Sequence, residues 1–282
     1  MFDIAFVGHF TKDTIVTLQG STVNRGGAYY YGANVARRMD KATAVVTRLA
    51  REDWGAVEEL QGLGVTMYAK ETPQSTTLRI VYPNTNLDDR TIYADGFAGP
   101  MTEAEVAPVE AKTFHVGASI RGEVPLSVIE ALAKKQSRLS LDAQGFIRIN
   151  DNGTLKYTMW PEMPATLRLV NVFKVDGTEA EFLADTKDMR EAARFFAGFG
   201  PQEIVLTQNK GVLVYANNEF YEYPWRVREI KGRTGRGDTC TSAYLCKRLT
   251  ASPEESARFT AALTGAKLEA PGPFKGTVPT DY

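Results

Sequence analysis

The run GRGDTCTSAYL at residues 235–245 says more about this chain than any other stretch of its sequence. Gly235 and Gly237 allow a tight turn that points successive backbone N–H groups at one spot, and the residues after them predict a helix through Leu249. A helix start has free N–H groups and the positive end of the helix dipole, so it favours a phosphate. Asp238 is placed to take a proton from a hydroxyl, so the run indicates a phosphoryl-transfer site. The alternative is a glycine-rich turn in which Asp238 only caps the helix.

The glycine spacing excludes two other phosphate-binding motifs. A P-loop has four residues between its glycines and continues with Gly-Lys-Ser/Thr. A dinucleotide-binding turn lies near the N-terminus and carries a third glycine. The run at 235–238 meets neither requirement.

Composition narrows the class of protein. The chain has 282 residues, of which 43% are hydrophobic and 24% charged, which is typical of one large soluble α/β domain over 1–282. The formal net charge of −1 gives no basic excess for nucleic acid. No apolar run reaches membrane-spanning length and no signal peptide precedes the first strand, so we expect no membrane partner and a cytoplasmic location.

The two cysteines, Cys240 and Cys246, lie on one predicted helix and point to different sides, so we expect them not to pair. With two histidines in the whole chain, a zinc site is not expected.

Short apolar segments alternate with helical patterns along most of the chain. This order predicts a mostly parallel sheet with helices on both faces. The predicted strands are 3–8, 43–48, 113–117, 138–142, 169–174 and 203–207. The predicted helices are 28–39, 53–62, 125–135, 178–184, 188–198, 238–249 and 253–268.

Two segments interrupt the alternation. Residues 14–25 and 75–94 have the composition of β-ribbons, and neither is followed by a crossover helix of its own. Pro83-Asn84-Thr85-Asn86 predicts a turn at the tip of the second segment. The two ribbons form either a flap over a site or a hairpin packed on the sheet edge.

Four motifs, in order along the chain, resemble those of the PfkB (ribokinase-like) carbohydrate kinases. Gly26-Gly27 with the residues after it resembles the N-terminal signature of that family, and Gly235-Arg236-Gly237-Asp238 resembles its C-terminal signature. Between them, residues 174–179 resemble an Asn-x-x-Glu segment and residues 207–211 a nucleotide-binding turn. The resemblance covers essentially the whole chain. It implies a three-layer α/β/α fold with a mostly parallel central sheet and a small β lid.

The resemblance also implies roles for single residues. Asp238 is the base that deprotonates the acceptor hydroxyl, while the backbone N–H groups of Arg236, Gly237 and Asp238, in the turn that begins at Gly235, hold the phosphoryl group. The acceptor contacts are implied for Asp13, Gly26, Gly27, Tyr30 and Asn34. The ATP contacts are implied for Thr207, Asn209, Gly211, Gly235 and Gly237, with an apolar wall for adenine between Ala257 and Gly272. The Mg²⁺ site is implied for Glu179, Asp176 and Asp142.

The sequence departs from the family pattern at several positions. Arg236 replaces a small residue, Asp176 stands where asparagine is common, and Asn209 where glycine is common. Gly232 stands where many members carry an aspartate associated with a monovalent-cation site, so potassium stimulation is not implied. Residues 142–148, DAQGFIR, and the tyrosines at 29–31 are similar to the branch that contains myo-inositol kinases.

The implied activity is transfer of the ATP γ-phosphate to a hydroxyl of a sugar or a cyclitol such as myo-inositol, with a nucleoside as the alternative acceptor. Two other classes stay open: a ligand-sensing member of the fold without catalysis, and a dinucleotide-binding oxidoreductase, which lacks its fingerprint. A homodimer through the β lid is expected, because an exposed apolar ribbon face needs covering.

Overall fold

The computed structural model describes residues 1–84 and 89–282, and a nine-stranded sheet forms its centre. Seven neighbouring strands run parallel, and the last two add an antiparallel edge. In spatial order they are β15 (Glu219–Pro224), β14 (Gly211–Ala216), β13 (Glu203–Thr207), β12 (Val172–Asp176), β9 (Arg138–Asp142), β8 (Ala111–Val116), β1 (Phe2–Val7), β4 (Thr43–Leu49) and β5 (Thr66–Glu71).

Helices cover both faces of this sheet. One face packs against α1 (Ala28–Arg38), α2 (Gly55–Gly62), α9 (Arg236–Lys247) and α10 (Pro253–Leu268). The other packs against α3 (Glu103–Val106), α4 (Leu126–Ala133), α5 (Gln144–Ile147), α6 (Met163–Leu167), α7 (Gly177–Ala184) and α8 (Met189–Ala197).

The first strand shows why three layers form. Ile4 and Phe6 of β1 belong to one buried cluster, and Ala5 and Val7 belong to the other. Since successive side chains of a strand point to opposite faces, an all-apolar strand must be covered on both sides. The predicted three-layer α/β/α fold is confirmed.

A second sheet of six strands forms the lid. It contains, in spatial order, β10 (Arg148–Asp151), β11 (Thr154–Tyr157), β7 (Thr91–Gly96), β6 (Thr76–Val81), β2 (Thr11–Thr17) and β3 (Gly20–Gly26). The ribbons expected at 14–25 and 75–94 supply four of these strands. Part of the turn expected at Pro83-Asn84-Thr85-Asn86 lies outside the described residues.

The edge strand of the lid is largely exposed. Val23 of β3 is 63% exposed and Leu18 of the preceding turn is 72% exposed. Pairing of two lids in a homodimer stays a prediction. In the part of the chain that the structure describes, no helix is long and apolar enough to cross a membrane. Both cysteines are free and buried.

Candidate active site

Several chain segments meet at the carboxyl ends of the central parallel strands, where folds of this type bind ligands. Asp142 ends β9, and Asp176 ends the neighbouring β12. The chain leaves β1 at the same edge and returns as lid strand β2, which carries Asp13. The start of α9 brings in Asp238.

The start of α9 has a left-handed glycine and, in the first turn, a carboxyl group with a raised pKa. Gly235 is the N-cap and has φ of 78°, a left-handed conformation that favours glycine. Asp238 stands in the first turn, where the helix dipole stabilises an anion. Burial and then the nearby carboxylate of Asp142 raise the pKa of Asp238 to about 6. A base with this pKa is ionised at neutral pH and can accept a proton from a hydroxyl.

Tyr31 lies directly against this turn. A side chain at Gly235 would collide with the Tyr31 ring, so the glycine is required by both conformation and space. Burial, followed by the carboxylates of Asp13 and Asp238, raises the pKa of the Tyr31 phenol. The Tyr31 side chain therefore lies near both Asp13 and Asp238.

The Gly-Gly pair makes room for Asp13. A side chain at Gly26 would overlap the Asp13 carboxylate and the Thr11 hydroxyl, and Gly27, at φ 95°, approaches the backbone carbonyl of His9. Asp13 Oδ1 is buried with no hydrogen-bond partner. Burial raises the pKa of Asp13 to about 6. An unsatisfied carboxylate oxygen at this position fits the expected role of accepting a ligand hydroxyl.

Asp13 has an apolar neighbour on one side of its strand and polar neighbours elsewhere in the lid, among them Asn24 and Arg148. Asp13 is in register with Leu78 of β6, and Leu78 packs with Ala94 and Ile120 in a small buried cluster. This mixture of hydrocarbon and polar groups beside a carboxylate suits a ring with both CH and OH groups.

Lys174 brings a fixed positive charge to the start of α9. Its Nζ lies 2.9 Å from Asp142 Oδ2, and each of the two side chains is 4% exposed. A Cβ placed on Gly237 would be 2.9 Å from the same Nζ. Burial lowers the pKa of Lys174, but four nearby carboxylates, with Asp142 first and then Glu179, Asp176 and Asp238, together outweigh burial, and the net shift is upward. The ammonium is thus charged and faces the expected phosphoryl-binding turn.

The predicted metal residues have different surroundings. Asp176 is the N-cap of α7, and its Oδ1 accepts a hydrogen bond of 2.8 Å from the Glu179 amide. Glu179 Oε2 accepts one of 3.0 Å from the Asp176 amide, a reciprocal capping box. Glu179 Oε1 is buried without a hydrogen-bond partner and lies 3.9 Å from the Arg148 guanidinium. Burial and the Asp176 carboxylate raise the pKa of Glu179.

These contacts leave little for a metal ion to bind directly. Asp142 is paired with Lys174, and Asp176 caps its helix. Among the described residues, no group of three His, Cys, Asp or Glu side chains is arranged to hold a metal. Glu179 Oε1 is the one buried oxygen of these three side chains without a hydrogen-bond partner, which suits Mg²⁺ bound mainly by water and ligand oxygens.

The residues predicted to contact the nucleotide lie beside this group. Thr207 ends β13 in register with Asp176, and Gly211 begins β14, where a side chain would collide with the Tyr223 backbone. Asn209, in the turn between them, accepts hydrogen bonds from Arg233 at 2.9 Å and Arg236 at 3.4 Å. The turn is therefore tied to the segment that leads into α9.

Two predicted acceptor contacts are placed elsewhere. The hydroxyl of Tyr30 donates to Glu59 of α2 at 2.9 Å. Asn34 donates to the Tyr30 carbonyl at 2.9 Å and lines a surface cavity with residues 276–278. The structure does not bring either polar group to Asp13 and Asp238.

Sequence reasoning assigned no role to Lys174, Arg148 or Lys267, and it named Tyr30 as the acceptor contact rather than its neighbour Tyr31. Arg148 and Lys267 are respectively 6% and 2% exposed. The sequence did contain a sign of the buried cations, namely a charged residue within an apolar segment, as Lys174 is in the strand Val172–Asp176. A buried charge needs a partner or a function.

The fold and the sequence are both similar to those of known kinases. A sulfate complex of a pyrophosphate-dependent kinase in the ribokinase family gives a TM-score of 0.91 and 35% identity, over 96% of this chain and 97% of that one. A complex of a kinase of the same description with a pyrophosphate analog and myo-inositol gives 0.90 at 35% identity, over 96% and 97%. The cytidine kinase of Thermococcus kodakarensis is 25% identical over 262 residues, which is 87% of this chain and 88% of that protein.

Comparison with models of protein families gives no match. The likeness to the solved kinases nevertheless extends over nearly the whole chain at 35% identity. The chain therefore belongs to the ribokinase (PfkB) family and is a phosphotransferase that acts on a hydroxyl acceptor.

Proposed function

We propose that this kinase transfers a phosphoryl group from pyrophosphate to a hydroxyl of a cyclitol or sugar, with myo-inositol as the first candidate acceptor. The observation that carries the proposal is the meeting of Asp238, Asp13 and Lys174 at the start of α9. Two solved structures at 35% identity to this chain are described as those of a pyrophosphate-dependent kinase, and one of them contains myo-inositol.

The residues of the site supply a complete set of roles. Asp13 accepts a hydrogen bond from one acceptor hydroxyl, which orients the ring under the lid. Asp238 removes the proton of the hydroxyl that attacks phosphorus. The backbone N–H groups at 236–238 and the Lys174 ammonium stabilise the charge on the transferred group.

The choice between pyrophosphate and ATP as phosphoryl donor depends on the residues around the phosphate site. The segment 226–232 lies in backbone contact with the end of α10, where side chains at Gly265 and Gly232 would collide with the carbonyls of Arg226 and Ala270. The amide of Lys231 also donates to the Leu268 carbonyl at 2.8 Å. We infer that this contact narrows the space for an adenine ring beside α10, which, with the cations around the turn, favours a small polyanion over ATP.

Magnesium fits the site as a partner of the donor. Glu179 Oε1 would take part in its hydration shell, and the ion would neutralise phosphate charge. Asp142 Oδ2 is paired with Lys174 and Asp176 Oδ1 caps its helix, so these two carboxylates would act on the ion mainly through their charge.

A nucleoside is the second candidate acceptor. Its support is the 25% identity with the Thermococcus kodakarensis cytidine kinase, together with an aromatic ring, that of Tyr31, packed against the turn at Gly235. With this acceptor, ATP remains the donor alternative.

The test is a matrix of two donors and several acceptors. Pyrophosphate or ATP with Mg²⁺ is incubated with myo-inositol, ribose, fructose or cytidine, and the phosphorylated product is detected by ³¹P NMR. Asp238→Asn should lower turnover about 10²–10⁴-fold, the usual contribution of a general base. Asp281→Asn, an exposed change near the end of the chain, is the matched control. Turnover with ATP alone would refute the donor, and turnover with cytidine alone would refute the acceptor.

A further inference from the structure

Lys267 is a buried cation that the reaction scheme does not use. It lies in the last turn of α10 and is 2% exposed. Its Nζ donates to the Gly232 carbonyl at 2.8 Å and the Thr234 carbonyl at 2.5 Å. Burying an ammonium is costly unless its hydrogen bonds are made, so this lysine requires a specific reason to be here.

Both carbonyls belong to the segment that ends at Gly235, the N-cap of the catalytic helix. The amide of Gly232 in turn donates to the Leu268 carbonyl at 3.1 Å, so the segment is tied to α10 through its amides and its carbonyls. The Lys267 ammonium also lies 5.9 Å from the centroid of the Tyr31 ring, and that ring packs on Gly235. Removing the ammonium would leave these two carbonyls, beside the phosphoryl-binding turn, without the donor that they share.

We propose that the Lys267 ammonium is a built-in cation that fixes the 232–234 carbonyls and thereby holds the start of α9 in its anion-binding form. Lys267 is a positioning residue: it acts through the backbone and adds positive charge behind the turn. Because the chain supplies this cation itself, the kinase needs no monovalent cation from solution. The inference rests on the proposed function only in that the turn binds a phosphate-bearing donor.

The charge on Lys267 is present only below a definite pH. Burial lowers the pKa of Lys267 to about 8, the Asp238 carboxylate opposes this shift, and Arg236 adds to it. Asp238 and Arg236 face it from α9 and the Tyr31 phenol from α1, while Lys231 and Glu229 of the connecting segment pair with each other at 3.1 Å. The ammonium form is therefore lost, and donor binding weakened, as pH rises through about 8.

The test uses the full chain and three variants. Lys267→Ala should lower kcat about tenfold or more, since the groups that bind the transferred phosphoryl group are no longer held in place. Millimolar ammonium or potassium chloride should restore part of this loss, because either ion can bind the two freed carbonyls. Lys267→Arg should keep activity above pH 8, where the wild type declines. Lys275→Ala, at an exposed position, is the control.

A second readout does not depend on turnover. The rise in melting temperature caused by inorganic pyrophosphate, and separately by ATP, is measured for the wild type and for Lys267→Ala with and without ammonium. A smaller rise in the variant, restored by ammonium, supports the inference even where no acceptor in the panel is phosphorylated. Activation of the wild type by potassium, or a variant with unchanged kcat and unchanged donor binding, overturns it. The inference is also overturned if no cation restores the activity of Lys267→Ala and this variant still loses activity above pH 8. Lys267 would then have a structural role only.

Discussion

Replacing Lys174 with methionine separates two roles that the structure assigns to one ammonium. In the wild type its Nζ is 2.9 Å from Asp142 Oδ2, and both side chains are almost fully buried. The substitution keeps most of the volume of the side chain but leaves the Asp142 carboxylate without its cation. It also removes the positive charge that faces Gly237.

The expected loss of stability follows from the burial of the pair. Breaking a buried ion pair by removing one partner costs about 3–5 kcal/mol, because the other charge stays buried and unpaired. A loss of this size lowers the melting temperature of a chain this long by roughly 10 °C. Removing both charges with Asp142→Asn and Lys174→Met should bring stability back to within about 2 kcal/mol of the wild type.

Activity should not follow stability. Both the single and the double variant lack the cation at the phosphoryl-binding turn, so each should show a loss of about 10²–10³-fold in kcat/KM for the donor. Urea unfolding measures the first effect and initial rates at saturating acceptor measure the second. The reasoning is refuted if Lys174→Met unfolds within 1 kcal/mol of the wild type, or if the double variant regains wild-type turnover.

Two further predictions concern the same region. Because the pKa values of Asp238 and Asp13 are both raised to about 6, kcat/KM should fall as pH drops through 6, when the base and the acceptor-binding carboxylate gain protons. A pH profile that stays flat down to pH 5 would contradict this. Gly235→Ala should lower both stability and kcat more than Gly272→Ala does. The backbone strain is similar at the two positions, because φ is 78° at Gly235 and 77° at Gly272. Only a Cβ at position 235 meets the Tyr31 ring. Equal effects, measured by thermal unfolding and initial rates, would mean that the ring contact is unimportant.

Local sequence patterns predict the bounds of a helix or strand well where the segment's own residues determine its structure. The strand predicted at 203–207 is Glu203–Thr207, and the helix predicted at 253–268 is Pro253–Leu268, beginning at its Ser252 cap. The turn before Asp238 was predicted from glycine spacing alone.

The missed parts depend on contacts between distant segments or on turn signals that were not used. The hairpin β10–β11 turns at Asn152-Gly153, both at positive φ, a dipeptide typical of tight hairpins. Lys174 meets Gly237 because β12 and α9 converge in space, which no local spacing encodes. Tyr30 and Tyr31 are adjacent in the sequence, and only the packing of α1 decides which one faces the site.

The lid sheet has a consequence for how the chain folds. Two of its strand pairings are non-local: β2 pairs with β6, and β7 pairs with β11, each across about sixty residues. Pairings of this kind form slowly, because a long loop must close first. Asp13 and Asp238, near opposite ends of the chain, meet only when α9 docks. During synthesis on the ribosome, a chain that stops before residue 236 has all the lid strands and no catalytic helix. The active site is therefore completed near the end of folding, and catalytic activity reports on the native state of the whole chain.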